Sequence, residues 1–366
     1  MTRSKCILHC IPTMEGGGAE RQLVYLCRGL VERGWEAHVA LLREGPNSRL
    51  LRESGAVVHP IRSWSHHDPF NILRICRLIR NIKPGLVHTW FAMMDIIGGA
   101  ACLITGTPQI ISERCSSEAH PGNFKDLLQI FAASGARAVV SNSSGGDEYW
   151  RGKYNGRLRR FVIPNALPLQ EIERVPPVPN AVIGGHPGQK IVLYVGRFDH
   201  QKNLKNLVCA LGRVAVNETV AAFLCGDGPM RPAVERMIHE AGLSGRIFLP
   251  GYVMNIWSWM KRADVFVSVS LFEGMPNTVM EAMACGCPAV VSDIPQHREI
   301  LDDDSAVFVS PSDPMSIAAG INRLLGDTEE AGRKVSCAKK RALQWSIQAM
   351  AERYERAYLE ILGAVK

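Results

Sequence analysis

Two glutamates separated by seven residues, Glu273 and Glu281, stand in the run Leu271-Phe-Glu-Gly-Met-Pro-Asn-Thr-Val-Met-Glu-Ala-Met-Ala-Cys-Gly-Cys-Pro-Ala-Val. Glu273 precedes Gly274 in a loop-forming stretch. Asn277 and Thr278 can start a helix, which puts Glu281 in about its first turn. Carboxylates accept hydrogen bonds from vicinal hydroxyls, and the amides of a loop and a helix start suit phosphate or sugar oxygens. A capped helix carrying two surface acids is the plainer reading. It does not explain why an acid, a glycine, a proline and a helix of small residues occur together. A second candidate is Val195-Gly-Arg-Phe-Asp-His-Gln-Lys-Asn-Leu. Arg197 can grip phosphate oxygens bidentately and Lys202 adds a point charge, so the pair can hold a diphosphate and stabilise it as it departs. The alternative is two solvated charges. Glycine-rich turns follow two strand-like runs: Glu15-Gly-Gly-Gly-Ala-Glu-Arg and Cys225-Gly-Asp-Gly-Pro. They allow close backbone approach, but they match neither G-x-G-x-x-G nor a P-loop. Taken alone, each is equally compatible with an empty turn.

These residues need strand ends and helix starts to hold them, and the pattern supplies both. Strand-like runs fall at Cys6–Cys10, Ala37–Leu42, Val57–Pro60, Leu86–Thr89, Gln109–Ser112, Ala138–Ser141 and Phe161–Ile163. Helix-period segments lie between them, for example Ala19–Arg33 and Pro69–Ile82. A proline- and glycine-rich stretch, 175–189, interrupts the pattern. It then restarts with strands from Lys190, at Ala221–Cys225, Arg246–Leu249, Val265–Ser268, Ala289–Ser292 and Ala306–Val309. Alternation of this kind predicts an α/β chain with two parallel-sheet, Rossmann-like domains. The expected division is 1–174 joined by a C-terminal helix 346–366, a linker 175–189, and 190–345. Ligands are expected beyond the carboxyl ends of the strands, in a cleft between the domains.

The chain has 366 residues, more than one core usually serves. With 46% hydrophobic and 21% charged residues, it is neither disordered nor fibrous. The longest uncharged stretch, Ile96–Ser112, is broken by Gly, Thr, Pro and Gln and does not read as a spanning helix. The run Cys6–Pro12 is too short for a signal peptide's apolar region. The eleven cysteines are odd in number and form no C-x-x-C, so buried thiols in a reducing, cytoplasmic setting are expected. Residues 1–170 carry 21 Lys+Arg against 13 Asp+Glu, and residues 171–366 carry 21 against 22. The basic half suits an anionic partner. No nucleic-acid-binding signature accompanies it.

The Glu273–Glu281 segment resembles the E-x7-E motif of family-4 retaining glycosyltransferases of the GT-B fold, in particular those that build bacterial glycans. The Gly16–Gly18 loop, Gly196-Arg197 with Lys202, Gly226-Asp227-Gly228 and Ile163-Pro-Asn165 resemble elements of the same family, over nearly the whole chain. The resemblance implies a donor that is a nucleotide-diphosphate sugar, UDP- or GDP-linked, with no metal required. It implies that Glu281 binds the ribose and Glu273 the sugar hydroxyls. Gly274 and the amides of Met275, Pro276, Asn277 and Thr278 would lie along sugar and phosphate. Arg197 and Lys202 would hold the diphosphate, with Gly226 beside them and Gly17 and Gly18 approaching from the other domain. In this reading Arg197, Lys202 and Glu273 carry the chemistry. Many relatives place a histidine after the fifth strand; here Arg114 takes that place, with His120 the weaker candidate. The family mechanism retains configuration, the leaving phosphate taking the acceptor's proton. A glycosidase would leave the cations without a role, and no D-x-D metal motif is evident in a plausible loop.

The expected acceptor is a glycan or a polyprenyl-diphosphate-linked sugar in cell-surface glycan assembly. Arg74, Arg77, Arg80 and Lys83 line a helix with Ile72, Ile75, Ile79 and Ile82, and Arg151, Lys153, Arg157, Arg159 and Arg160 form a second basic run. Either can meet an anionic membrane on the cytoplasmic face; either can equally be the basic rim of a packed helix. Two other readings share the fold: another GT-B enzyme such as a sugar-nucleotide epimerase, and a non-catalytic nucleotide-sugar-binding module.

Overall fold

The computed structural model of the protein describes residues 5–64, 68–115, 124–154, 158–179, 188–214 and 220–363. The chain divides into two compact units, Met1–Ala166 with Trp345–Lys366, and Leu167–Gln344.

The first unit is built on seven parallel strands: β1 (Cys6–Thr13), β2 (Glu36–Arg43), β3 (Val57–Pro60), β4 (Leu86–Trp90), β5 (Gln109–Glu113), β6 (Ala138–Ser141) and β7 (Arg159–Val162), in the order β3-β2-β1-β4-β5-β6-β7. Helices α1 (Gly18–Glu32), α2 (Asn47–Glu53), α3 (Phe70–Ile82), α4 (Phe91–Thr105), α5 (Phe124–Ala133) and α6 (Ser144–Tyr154) alternate with them. The central strands are apolar on both faces because both are covered. Ile7 and Ile11 point into one core with Leu23, Leu26 and Trp90. Leu8 and Cys10 point into another with Ile75, Ile79 and Met94.

The C-terminal helix, Ile347–Ile361, belongs to this unit. Ser346 caps it by accepting from the Ala349 amide at 3.1 Å. Met350, Tyr354, Ala357 and Tyr358 are core residues packed with α1. Gly29 of α1 lies so close that an added Cβ would come within 2.6 Å of the Ala351 Cβ. Glu355 accepts from Lys5, Arg33 and the Trp35 indole. Burial works to raise its pKa, but those hydrogen bonds and the Arg33 charge hold it down at about 2.

The second unit has six parallel strands: β8 (Lys190–Val195), β9 (Val220–Cys225), β10 (Ile247–Gly251), β11 (Val265–Ser268), β12 (Ala289–Ser292) and β13 (Val307–Val309), ordered β10-β9-β8-β11-β12-β13. All the strands read from the sequence are present. The division between units differs from the sequence reading. It falls after Ala166, so helix α7 (Leu169–Arg174) packs in the second unit rather than closing the first. The reason is polar as well as apolar. Lys261 donates to the Glu173 and Val175 carbonyls, Ser258 donates to the Pro176 carbonyl, and α7 lies against the helix Asn277–Cys285. The proposed linker therefore begins as a packed strap; residues 180–187 lie outside the described set.

Candidate active site

In the second unit, the residues with chemical potential gather at the carboxyl ends of β8, β9 and β11. After β8 the chain turns through Gly196 and Arg197 into the short turn His200–Lys202. Asp199 starts that turn by accepting from the Lys202 amide at 3.3 Å. Asn203 follows at φ +56, a left-handed position that Asn tolerates well, and its amide donates to the Val269 and Pro311 carbonyls. This fixes Lys202 so that its Nζ lies 2.5 Å from Glu273 Oε1. Gln201 donates to the Phe272 carbonyl at 2.7 Å and to Glu273 Oε2 at 3.3 Å, and the Leu271 amide donates back to the Gln201 carbonyl. Two segments some seventy residues apart in sequence are thus laced into one ledge.

Glu273 is buried, and the helix Asn277–Cys285 starts where the sequence places it. Met275 and Pro276 are buried, Gly274, Asn277 and Thr278 are half-buried, and Glu281 is buried. The two glutamates are therefore not the surface acids of a capped helix. Arg197 is largely exposed, with Asp199 Oδ2 3.7 Å away, so its guanidinium is open to solvent while Lys202 is engaged. Gly226 and Gly228 press their backbone onto this turn. A Cβ at Gly226 would sit 1.9 Å from the Gly196 carbonyl oxygen, and one at Gly228 would sit 2.5 Å from that of Phe198. Phe198 N donates to Asp227 O and Met230 N to Phe198 O, so the two glycine turns form one hydrogen-bonded unit.

Sequence reasoning missed three contributors here. Gln201 braces Glu273 from the residue next to Lys202. Tyr194 donates to the Arg197 carbonyl at 3.1 Å, and burial, with the charges of Glu273 and Asp199, pushes its phenol pKa well up. His297 is fully buried. Its Nδ1 donates to the Ser292 carbonyl at 2.8 Å, and its Nε2 has no partner among the described residues. Burial lowers its pKa against the pull of nearby Glu273. Nothing in its local sequence marks His297 for this place.

In the first unit, the glycine loop carries its own anion. Glu20, buried in the first turn of α1, accepts from Thr13 Oγ1 at 2.7 Å, from the Gly16 amide at 2.6 Å and from the Gly17 amide at 3.0 Å. This is only the carboxylate half of a capping box, because glycine has no side chain to complete it. The Gly17 amide is thus engaged inside the chain rather than offered to a phosphate; Gly18 opens the helix.

Arg114 is held from every side. Nε donates to Ser112 Oγ at 2.7 Å, one terminal nitrogen to Asn165 at 2.9 Å and the other to the Tyr354 hydroxyl at 2.8 Å. Its guanidinium stacks over Trp90, 4.2 Å from the ring centroid. His9 and His88 lie buried beside it. Burial, then the Arg114 charge, lowers the pKa of His9 to about 3, and burial with the charges of His9 and Arg114 lowers that of His88 well below the ordinary imidazole value. His120 lies outside the described residues. The basic runs are partly neutralised: Arg74 pairs with Asp68, Arg151 and Arg160 with Asp147, and Arg159 with Glu360. Arg157 lies outside the described residues.

Comparison with known proteins adds a second line of argument. The profile described as "Glycosyltransferase Family 4" matches residues 16–171, and "Glycosyl transferases group 1" matches 181–341. The lipopolysaccharide core biosynthesis glycosyltransferase LpsD of Rhizobium meliloti is 27% identical over 85% of each chain. In Campylobacter jejuni, the N-acetylgalactosamine-N,N'-diacetylbacillosaminyl-diphospho-undecaprenol 4-alpha-N-acetylgalactosaminyltransferase is 24% identical over 91% of this chain and 93% of its own. Among solved structures, HepE of Anabaena in complex with UDP and glucose superposes with a TM-score of 0.85 at 19% identity, covering 98% of this chain and all of its own. Because a profile falls on each unit in turn and the fold matches from end to end, this chain belongs to glycosyltransferase family 4 and has the GT-B fold.

Proposed function

We propose that this glycosyltransferase moves a sugar from a nucleotide-diphosphate donor to a lipid-linked acceptor, with retention of configuration and without a metal ion, at a membrane surface in cell-surface glycan assembly. The observation that carries the donor assignment is the Lys202–Glu273 pair on the ledge at the strands' carboxyl ends. A lysine held against a buried carboxylate is aimed and partly neutralised. A diphosphate offers it a stronger anionic partner, and loss of the pair frees Glu273 to accept from sugar hydroxyls. Charge then builds on the leaving oxygen while cations stand beside it, which is where electrostatic stabilisation lowers a barrier. Glu281 takes the ribose, and the leaving phosphate takes the acceptor's proton. The HepE complex with UDP and the C. jejuni enzyme named for a diphospho-undecaprenol acceptor support the two substrate classes.

One face of the first unit supports the membrane reading. Helix α3 packs on α4 and α4 on α5. Their outer surface exposes Phe70, Leu73, Leu103, Ile104, Leu127 and Phe131, interspersed with Arg77, Arg80, Lys83 and Arg137. Among the described side chains from 70 to 137, the only carboxylates are Asp95 and Glu113, both buried. Apolar area with cations and, among the described side chains, no exposed acid suits an anionic leaflet. No helix among the described residues is long and apolar enough to cross a membrane.

The test is a transfer assay with UDP- and GDP-sugars and a polyprenyl-diphosphate-linked acceptor, with and without EDTA, reading product anomeric configuration by NMR. Donor consumption with no acceptor product, an inverted product or loss of activity in EDTA each removes one part of the proposal. Sedimentation with anionic vesicles tests the membrane part: Leu103→Ser with Phe131→Ser should reduce binding about tenfold, and no vesicle binding by the parent chain ends it.

A further inference from the structure

The amino ends of the first unit's strands hold a cluster that the transfer reaction does not use. Cys6 opens β1 and pairs in register with Glu36, which opens β2. His38 lies two residues further on β2, on the same face as Glu36. One donor atom from each of Cys6, Glu36 and His38 lies within 4.8 Å of the others. His38 Nε2 is 3.0 Å from Glu36 Oε1, and His38 Nδ1 is 2.9 Å from Nε2 of His59 on β3. We propose that Cys6, Glu36 and His38 bind a zinc-class divalent ion, with His59 orienting His38.

The donor set selects the ion. Sulfur, imidazole nitrogen and a carboxylate suit zinc or cobalt, not magnesium or calcium, which take oxygen ligands. Tetrahedral ligands at roughly 2.0–2.3 Å from zinc stand about 3.3–3.6 Å apart. Within a set spanning at most 4.8 Å, the wider separations must close by up to about an ångström while His38 and Glu36, 3.0 Å apart, open slightly, and Glu36, whose side chain is 65% exposed, is the arm able to move. A solvent molecule takes the fourth position.

The hydrogen-bond chain accommodates the ion. Without metal, His38 Nε2–H donates to Glu36 and His59 Nε2–H donates to His38 Nδ1. With metal on Nε2, each ring shifts its proton to Nδ1, and His38 Nδ1–H donates to His59 Nε2. A ligating histidine is commonly oriented in this way. His59 must stay neutral to accept that hydrogen bond. The thiol S–H bond breaks as the sulfur–metal bond forms, and the proton leaves to solvent. The site lies at the opposite end of β1 from the glycine loop. It ties β1 to β2, and through His59 to β3, and serves the fold rather than the transfer.

The test uses the full chain, free of any affinity tag and stripped with a chelator, titrated with cobalt(II) and then zinc(II). The expected result is one equivalent bound, a thiolate-to-cobalt charge-transfer absorption, one proton released per zinc and a higher melting temperature. Cys6→Ser should abolish the absorption. His59→Ala should weaken binding about 10- to 100-fold. Glu36→Gln, at an exposed position where folding is not at risk, should keep the absorption and weaken binding about tenfold. Absence of the absorption in the parent chain at about 100 μM cobalt overturns the proposal, as does its persistence in Cys6→Ser. If Cys6→Ser does not fold, unchanged affinity in Glu36→Gln overturns it.

Discussion

The pairing of Lys202 with Glu273 gives each residue two duties that mutation can separate. Lys202→Ala should lower kcat by roughly 100-fold and change KM little, because its charge matters most as the diphosphate leaves. It should also lower the melting temperature, since Glu273 would stay buried without its cation. Adding Glu273→Gln should recover the stability and none of the turnover. Unchanged kcat with raised KM would remove Lys202 from the leaving-group role. Calorimetry separates the two acids: Glu281→Ala should weaken both the free nucleoside diphosphate and the nucleotide sugar, and Glu273→Ala only the sugar-bearing ligand. Equal losses for both ligands would refute this division of labour. These residues were legible in the sequence because glycine, proline and acid cluster within one short run. Gln201 and His297 were not, because their places depend on strands paired across long sequence separations.

Among the elements, α4 shows what periodicity conceals. Its sequence, Phe-Ala-Met-Met-Asp-Ile-Ile-Gly-Gly-Ala-Ala-Cys-Leu-Ile-Thr, is apolar nearly all round and shows no 3.6-residue stripe. Its one acid, Asp95, is fully buried, accepting from Thr89 Oγ1 at 2.6 Å and Gln129 Nε2 at 2.9 Å. Burial raises its pKa to about 7, against those two hydrogen bonds. Between about pH 4 and 6 the folded chain therefore holds one proton on Asp95 that the unfolded chain lacks. Over the same range the unfolded chain holds protons on His9 and His88 that the folded chain excludes. The two histidines therefore make stability fall with acidification, and Asp95 opposes them. Asp95→Asn removes the opposing proton. Its unfolding free energy, from urea titration, should fall more steeply from pH 6.5 to 4, and at pH 8 it should exceed the parent's by about 1–3 kcal/mol. Parallel pH profiles for the two proteins would contradict this account. The hold on Arg114 was not readable, because Tyr354 is 240 residues away in the chain.

At the scale of the whole molecule, both sheets and their strands were readable from alternation. The boundary was not, because proline-rich composition marks where a helix or strand cannot continue rather than which core a segment joins. The C-terminal helix is part of the first unit's core, not an accessory to it. Deletion from Met350 onward removes Tyr354 and Tyr358, both fully buried, and Arg114 loses one of its hydrogen-bond partners. Losing even one such aromatic costs about 3–5 kcal/mol, against about 5–15 for a whole domain. The truncated chain should therefore lose the first unit's cooperative thermal transition, while Leu167–Gln344 keeps its own; a truncation that melts like the parent would disprove this. The same arrangement dictates an order of events on the ribosome. The residues up to Ala166 are synthesised first, yet their core waits for a helix encoded after Gln344. At about 5–20 residues per second, the delay lasts roughly ten to forty seconds. In that interval the later-made unit can finish folding while the earlier one still exposes the groove its last helix will fill, so the newborn chain completes its beginning only at its end.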